Sequence, residues 1–297
     1  MSYKDVSDLL KSAAVNWAHD YAQSMGAALA FYTMFSITPL LLIVISVAGI
    51  AFGEDAARGE IYGQLHGLLG APGASAVQGL LEGARKTTES VTATALGTVL
   101  LFIGATSVFG ELQDALDRIW RAPQRVRHSG LWGVVRARLL SFGMILGIGF
   151  LLMVSLAFSA GLAALNKWWD PLFDGWMSVA NTIDLAISVA LSTAVFAMIY
   201  KAMPRVRIDW RDVWVGAAFT SLLSMAGKIL IGVYIGRSGI SSGFGAAASL
   251  VVVLLWVYYS AQIFLFGAEF TWVYSHKFGS RKGQPLPVAV GVRPEPD

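Results

Sequence analysis

Residues 246–273 read AAASLVVVLLWVYYSAQIFLFGAEFTWV, and the only formally charged side chain in that run is Glu269. A helix needs about 20 mostly apolar residues to cross a hydrocarbon core about 30 Å thick, so this run can span a bilayer by itself. Comparable stretches lie at 27–52, 92–110, 139–165, 182–200 and 213–236. The one at 92–110 is diluted by Thr92, Thr94, Thr98, Thr106 and Ser107, whose hydroxyls can bond back to helix carbonyls or to neighbouring helices, a composition suited to the inside of a bundle. The expected fold class is therefore all-α, a polytopic membrane helix bundle with six transmembrane helices plus amphipathic interfacial helices.

The chain has 297 residues, 56% hydrophobic and 14% charged, against about a quarter charged in ordinary soluble domains. It contains no Cys, which excludes disulfides, thiolate metal sites and a Cys nucleophile. His19, His66, His128 and His276 lie far apart, without the spacing of metal ligands. No GxSxG elbow, phosphate loop, or GxGxxG with a following acid occurs. No cofactor, no metal and no enzymatic activity are expected. Because the first apolar run begins only after the mixed residues 1–26 and exceeds a signal-peptide core, it is expected to be a retained helix.

Positively charged connections tend to stay in the cytoplasm. Arg118, Arg121, Arg125, Arg127, Arg136 and Arg138 fall between the second and third spans, and Lys201, Arg205, Arg207 and Arg211 between the fourth and fifth. Lys4 and Lys11 precede the first span, and Lys277, Arg281, Lys282 and Arg293 follow the last. Arg58, Arg85, Lys86, Lys167 and Arg237 fall on the other side. The bias predicts a bacterial inner (cytoplasmic) membrane protein with both termini cytoplasmic. Indoles collect at the headgroup level, and Trp120, Trp132, Trp210, Trp214 and Trp272 lie at the proposed inner boundary, with Trp168, Trp169 and Trp176 at the outer.

The domain reading has three parts. Residues 1–26 form an amphipathic helix on the inner surface, with Val6, Leu9, Leu10, Ala13, Ala14, Trp17 and Tyr21 recurring at helical spacing. Residues 27–276 form the six-helix domain, whose outer loop 53–91 is expected to hold two short amphipathic stretches broken at Ala71-Pro72-Gly73. Residues 277–297, polar and rich in Pro from Gly279 onward, form a disordered tail.

A charge left in hydrocarbon costs on the order of 2.5–3.5 kcal/mol or more, so intramembrane ionisable groups are the main functional candidates. Lys228 lies roughly 12 Å from the outer end of span five, and Glu269 about 6 Å from the inner end of span six. Asp184 is the expected partner of Lys228, whose long stem can reach it, while Glu269 suits a boundary salt bridge to the inner Arg cluster. Arg237 opens the Gly/Ser connection Gly236–Gly245, which reads as a tight outer turn or as a gate beside Lys228. Pro39 predicts a kink in span one, and Trp256 lies inside span six as a packing or cavity residue. Glu111, Asp114 and Asp117 share one helical face, interleaved with Arg118 and Arg121, and suit a salt-bridged helix end better than a metal site.

Several runs form an ordered set: Ala28-Leu29-Ala30-Phe31-Tyr32 leading to Pro39, Trp120-Arg121-Ala122-Pro123, and Tyr200-Lys201-Ala202-Met203-Pro204 followed by Trp210-Arg211-Asp212 and Gly216-Ala217. Leu255-Trp256-Val257-Tyr258 and Gly267-Ala268-Glu269 complete it. With these the chain resembles the YihY/BrkB family of bacterial inner-membrane proteins over nearly its whole length. It departs at Phe244-Gly245, where Tyr-Gly is expected. The resemblance implies six spans with cytoplasmic termini. The family has carried the name ribonuclease BN, for which these residues offer no metal-binding cluster, and some members are linked to serum resistance or to envelope lipids.

The leading expectation is a non-enzymatic protein that translocates or exposes an amphiphilic, anionic envelope lipid through a polar cavity lined by spans one, two, five and six. Lys228 and Arg237 would attract the headgroup, with Asp184, Glu269, Glu111, Tyr32, Pro39 and Trp256 around the path. A non-transporting scaffold or accessory subunit is the alternative, and a membrane-bound ribonuclease a distant third. The expected partners are membrane lipids, with no nucleic acid, and a homo-oligomer is left open.

Overall fold

A computed structural model describes residues 3–87, 107–123, 176–237 and 248–284. Their regular structure is entirely helical: α1 (Tyr3–His19), α2 (Ala22–Phe52), α3 (Glu54–Thr87), α4 (107–119), α5 (Trp176–Ala202), α6 (Trp210–Arg237) and α7 (Ala248–Lys277). Three of these are long and apolar enough to cross a membrane, over Leu185–Ala202, Trp210–Ile235 and Leu250–Lys277. They coincide with the spans expected at 182–200, 213–236 and 246–273. The span expected at 27–52 falls within α2, which is helical through Pro39. Of the other two, 139–165 lies outside the described residues, and 92–110 lies outside them except for 107–110 at the start of α4.

Two expectations are corrected. The loop 53–91 was expected to carry two short helices broken at Ala71-Pro72-Gly73, but α3 runs unbroken from Glu54 to Thr87. A proline removes one backbone donor, and here Leu65 on one side of Pro72 and Ala76, Val77, Leu80 and Leu81 on the other pack into the same apolar cluster, which favours continuing the helix. The tail was expected to be disordered from Gly279, whereas residues 279–284 form a turn docked on Asp212 and Arg207. Residues 285–297 lie outside the described residues.

Local chemistry sets the helix ends. Tyr21, at φ 57°, and Gly53, at φ 86°, adopt left-handed backbone on either side of α2, and at Gly53 the missing Cβ makes that conformation easy. α6 is capped by Asp209, whose Oδ1 accepts the Arg211 N–H at 2.9 Å. α5 stops before Met203-Pro204, since proline cannot extend it. α4 ends with Arg121 at φ 51°, the Ala122 N–H bonding to Asp117 O at 2.8 Å and the Arg121 N–H to Arg118 O at 3.0 Å. This is a Schellman closure with Pro123 after it.

The chain divides into two compact units, residues 1–13, 116–222 and 267–297 in the first and 14–115 and 223–266 in the second. In the second unit, Ala76 and Val77 of α3 join Ile231 and Ile235 of α6 and Val252 and Val253 of α7 in a buried apolar cluster, with Ile37 and Leu41 of α2 packed against it. Two glycines there permit close approach of helices: a Cβ at Gly26 would overlap Gln262, and one at Gly227 would overlap Ile263.

In the first unit, α6 and α7 meet through two copies of one pattern, Gly216-Ala217-Ala218-Phe219-Thr220 and Gly267-Ala268-Glu269-Phe270-Thr271. Each Thr hydroxyl donates to the carbonyl of its own Gly, Thr220 to Gly216 at 2.7 Å and Thr271 to Gly267 at 2.6 Å. Each Thr side chain also fills the space over the other Gly, so the segments run antiparallel and are related by a local two-fold exchange. Phe219 and Phe270 stack between them with ring centroids 3.9 Å apart. Tyr200 of α5 is buried against this contact, its hydroxyl 3.0 Å from Thr220 Oγ1.

Candidate functional site

Six of the residues singled out in the sequence, Tyr32, Pro39, Glu111, Lys228, Arg237 and Trp256, belong to the second unit, and Asp184 and Glu269 to the first. Lys228 is exposed on α6, which there presents Met225, Ile229, Leu230, Val233 and Tyr234, with Ile229 64% and Leu230 63% exposed. Lys228 forms no ion pair among the described residues. Arg237 is exposed at the end of α6, and the expected gate that follows it, 238–247, lies outside the described residues. Asp184 lies in α5, and its side chain is likewise outside them.

Trp256 is half-buried and packs against the α3–α6–α7 cluster. Tyr32 is half-buried on α2, edge-on to Phe31 at 5.8 Å between ring centroids. Glu111 is partly buried on α4, and burial, reinforced by the charge of Asp114, raises its carboxyl above the usual carboxylate range. Glu269 lies in α7 within the segment Gly267–Thr271 and is fully buried. Among the described residues no cluster of His, Asp and Glu is placed to hold a metal ion.

The first unit also assembles a polar site where the apolar stretches of α5, α6 and α7 end, at Ala202, Trp210 and Lys277. Its centre is Asp212, 1% exposed in the first turn of α6. The turn after α7 folds over it. Ser280 donates its hydroxyl to Asp212 Oδ2 at 2.6 Å and its N–H to Oδ1 and Oδ2 at 3.3 and 3.2 Å. Gly279 allows this approach, because a Cβ there would overlap the Asp212 carboxylate.

Around this latch the basic residues are held in place. Arg281 donates to Arg207 O at 2.9 Å and lies 5.1 Å from the centre of the buried Trp120 ring. Arg121 lies 4.4 Å over the buried Trp272. Asp117 receives the Arg205 backbone N–H at 2.7 Å and pairs with its guanidinium at 3.3 Å. Lys201 donates to Ile208 O and places its ammonium 5.2 Å from the Trp210 ring centre. Burial pulls the Arg281 guanidinium below its usual value, with Asp212 opposing the shift. Lys277, at the end of α7, reaches Ser12 Oγ of α1 at 3.0 Å and Asp8 O at 3.4 Å.

Lys201, Arg207, Ile208, Asp209, Trp210, Ser280, Arg281 and Gln284 line an open cleft of about 610 Å³. The sequence reading uses these cations mainly to set membrane topology and places none of them in the candidate site. The missed signal is local: the runs Tyr200–Pro204 and Trp210–Asp212, read in order as marks of a family, flank one cleft, and Asp209 and Asp212 stand at the cap and third positions of a helix, where acidic side chains meet free N–H groups.

A family model described as virulence factor BrkB matches residues 13–289. A UPF0761 membrane protein of Pseudomonas paraeruginosa is 27% identical over 97% of this chain and 68% of its own length. One from Pseudomonas aeruginosa is 28% identical over 90% of the chain and 62% of its own length. One from Tolumonas auensis is 25% identical over 85% of the chain and 80% of its own. The chain thus spans about two thirds of the two Pseudomonas relatives. No solved structure matches it.

Proposed function

The chain belongs to the BrkB family of membrane proteins, and from that premise we propose that it is a non-enzymatic inner-membrane protein that takes up an anionic amphiphile beside α6 and moves or exposes it. The observation that carries this reading is Lys228, an exposed ammonium among the exposed apolar side chains Ile229, Leu230, Val233 and Tyr234. Apolar side chains alone would suit an acyl chain, and an ammonium alone would be costly in hydrocarbon. Together they match the two ends of an amphiphile. Arg237, further along the same helix, adds a second cation on the expected outer side. The excess of Lys and Arg in the connections supports the reading that both termini are cytoplasmic.

Reconstitution of the full chain in vesicles tests it. Transfer of a fluorescent anionic lipid between leaflets is expected to be lost in Lys228→Met, with the thermal unfolding of the protein unchanged. Transfer at the original rate in that variant would sink the reading.

A further inference from the structure

We propose that the cleft lined by Lys201, Arg207, Trp210 and Arg281 is a binding site for the phosphate group of an anion at the membrane surface, with the headgroup of an anionic lipid as the source its position favours. This goes beyond transfer beside Lys228 and does not depend on it. Setting topology requires only that cations stay on one side of the membrane. Here they are also positioned on one cavity. Lys201 is tied to the Ile208 carbonyl, and Arg281 to the Arg207 carbonyl and the Trp120 ring. The Ser280–Asp212 latch fixes the turn that carries Arg281.

Charge and size agree with a small phosphate-bearing ligand. The lining holds Lys201, Arg207 and Arg281 against the single carboxylate of Asp209, and Asp212 behind it is engaged by Ser280. The volume of about 610 Å³ falls within the range of roughly 300–1,000 Å³ usual for small-molecule sites. Guanidinium groups present paired donors matched to phosphate oxygens, and a lysine adds a compact charge. Position points to lipid, because the apolar stretches of α5, α6 and α7 all end at this cleft and Trp210 stands half-exposed beside it. That is the depth at which indoles and headgroups meet.

The test uses the full chain purified in detergent, exposed to equal amounts of phosphatidylglycerol and phosphatidylcholine and examined by native mass spectrometry. The original protein is expected to retain phosphatidylglycerol in preference to phosphatidylcholine. Arg207→Gln, which removes an exposed side chain but keeps the carbonyl that holds Arg281, and Arg207→Gln with Lys201→Gln are expected to lower that retention about tenfold or more. A parallel arm titrates inorganic phosphate. Displacement of the lipid by phosphate supports one shared anion site, and phosphate binding that is lost in Arg207→Gln without lipid retention supports the site with a soluble source. Absence of both a lipid preference and phosphate binding in the original protein, or retention and phosphate binding unchanged in a folded Arg207→Gln protein, overturns the proposal. Because the readout is retention and not transfer, failure of the Lys228 reading leaves this result interpretable.

Discussion

Thr271 of α7 occupies the space left by the missing side chain of Gly216 in α6, and the same exchange recurs between Thr220 and Gly267. Helices in a membrane gain little from the hydrophobic effect on meeting each other, so close backbone approach and satisfied hydroxyls must hold them together. The paired Gly/Thr segments supply both, and the Phe219–Phe270 stack closes the gap between them.

Gly216→Ala should therefore destabilise the protein by about 1–3 kcal/mol through overpacking against Thr271. Gly232 in the same helix provides the contrast, since a Cβ there meets nothing within 4 Å. Gly232→Ala should be neutral or gain up to about 1 kcal/mol from helix propensity. Thermal unfolding of both variants in detergent checks the pair, and equal melting temperatures would contradict this packing.

The apolar runs in the sequence located α5, α6 and α7 to within a few residues, because the length of an apolar run is a one-dimensional property. What each helix touches is not. The repeat of GAAFT at 216–220 and GAEFT at 267–271 was legible, but only the pairing of α6 with α7 gives it meaning. The Asp212–Ser280 latch joins residues 68 positions apart, and the composition of the tail, polar and rich in Pro, points towards disorder. The unbroken α3 escaped for a related reason: Pro72 is a local signal, and the cluster that outweighs it is assembled from α6 and α7.

Replacing Asp212 with Ala should free the turn after α7, since its carboxylate receives both the hydroxyl and the N–H of Ser280. Hydrogen bonds to a charged group contribute about 1.5–3 kcal/mol. Limited trypsin digestion should then cleave after Arg281 and Lys282 several-fold faster than in the original protein, with Ser280→Ala intermediate. An unchanged cleavage rate in Asp212→Ala would show that the latch does not hold the turn.

Glu111 gives a pH-dependent prediction with a definite sign. Its carboxyl is raised above the ordinary value by burial and then by Asp114, so the folded protein favours the protonated form. That preference has no cost below the ordinary carboxylate pKa. The penalty develops as pH rises through that value and is complete above the raised one. Glu111→Gln should raise the melting temperature at neutral pH and leave it unchanged in acid. A variant whose gain persisted equally at low pH would place the effect elsewhere.

Gln284, the last described residue, is itself part of the wall of the basic cleft. Because the chain has no Cys, a Gln284→Cys substitution would place its single thiol in that wall, where a dye can be attached selectively. That position is for this reason the natural place for a reporter of occupancy, and the wrong place for a bulky label in any measurement of binding.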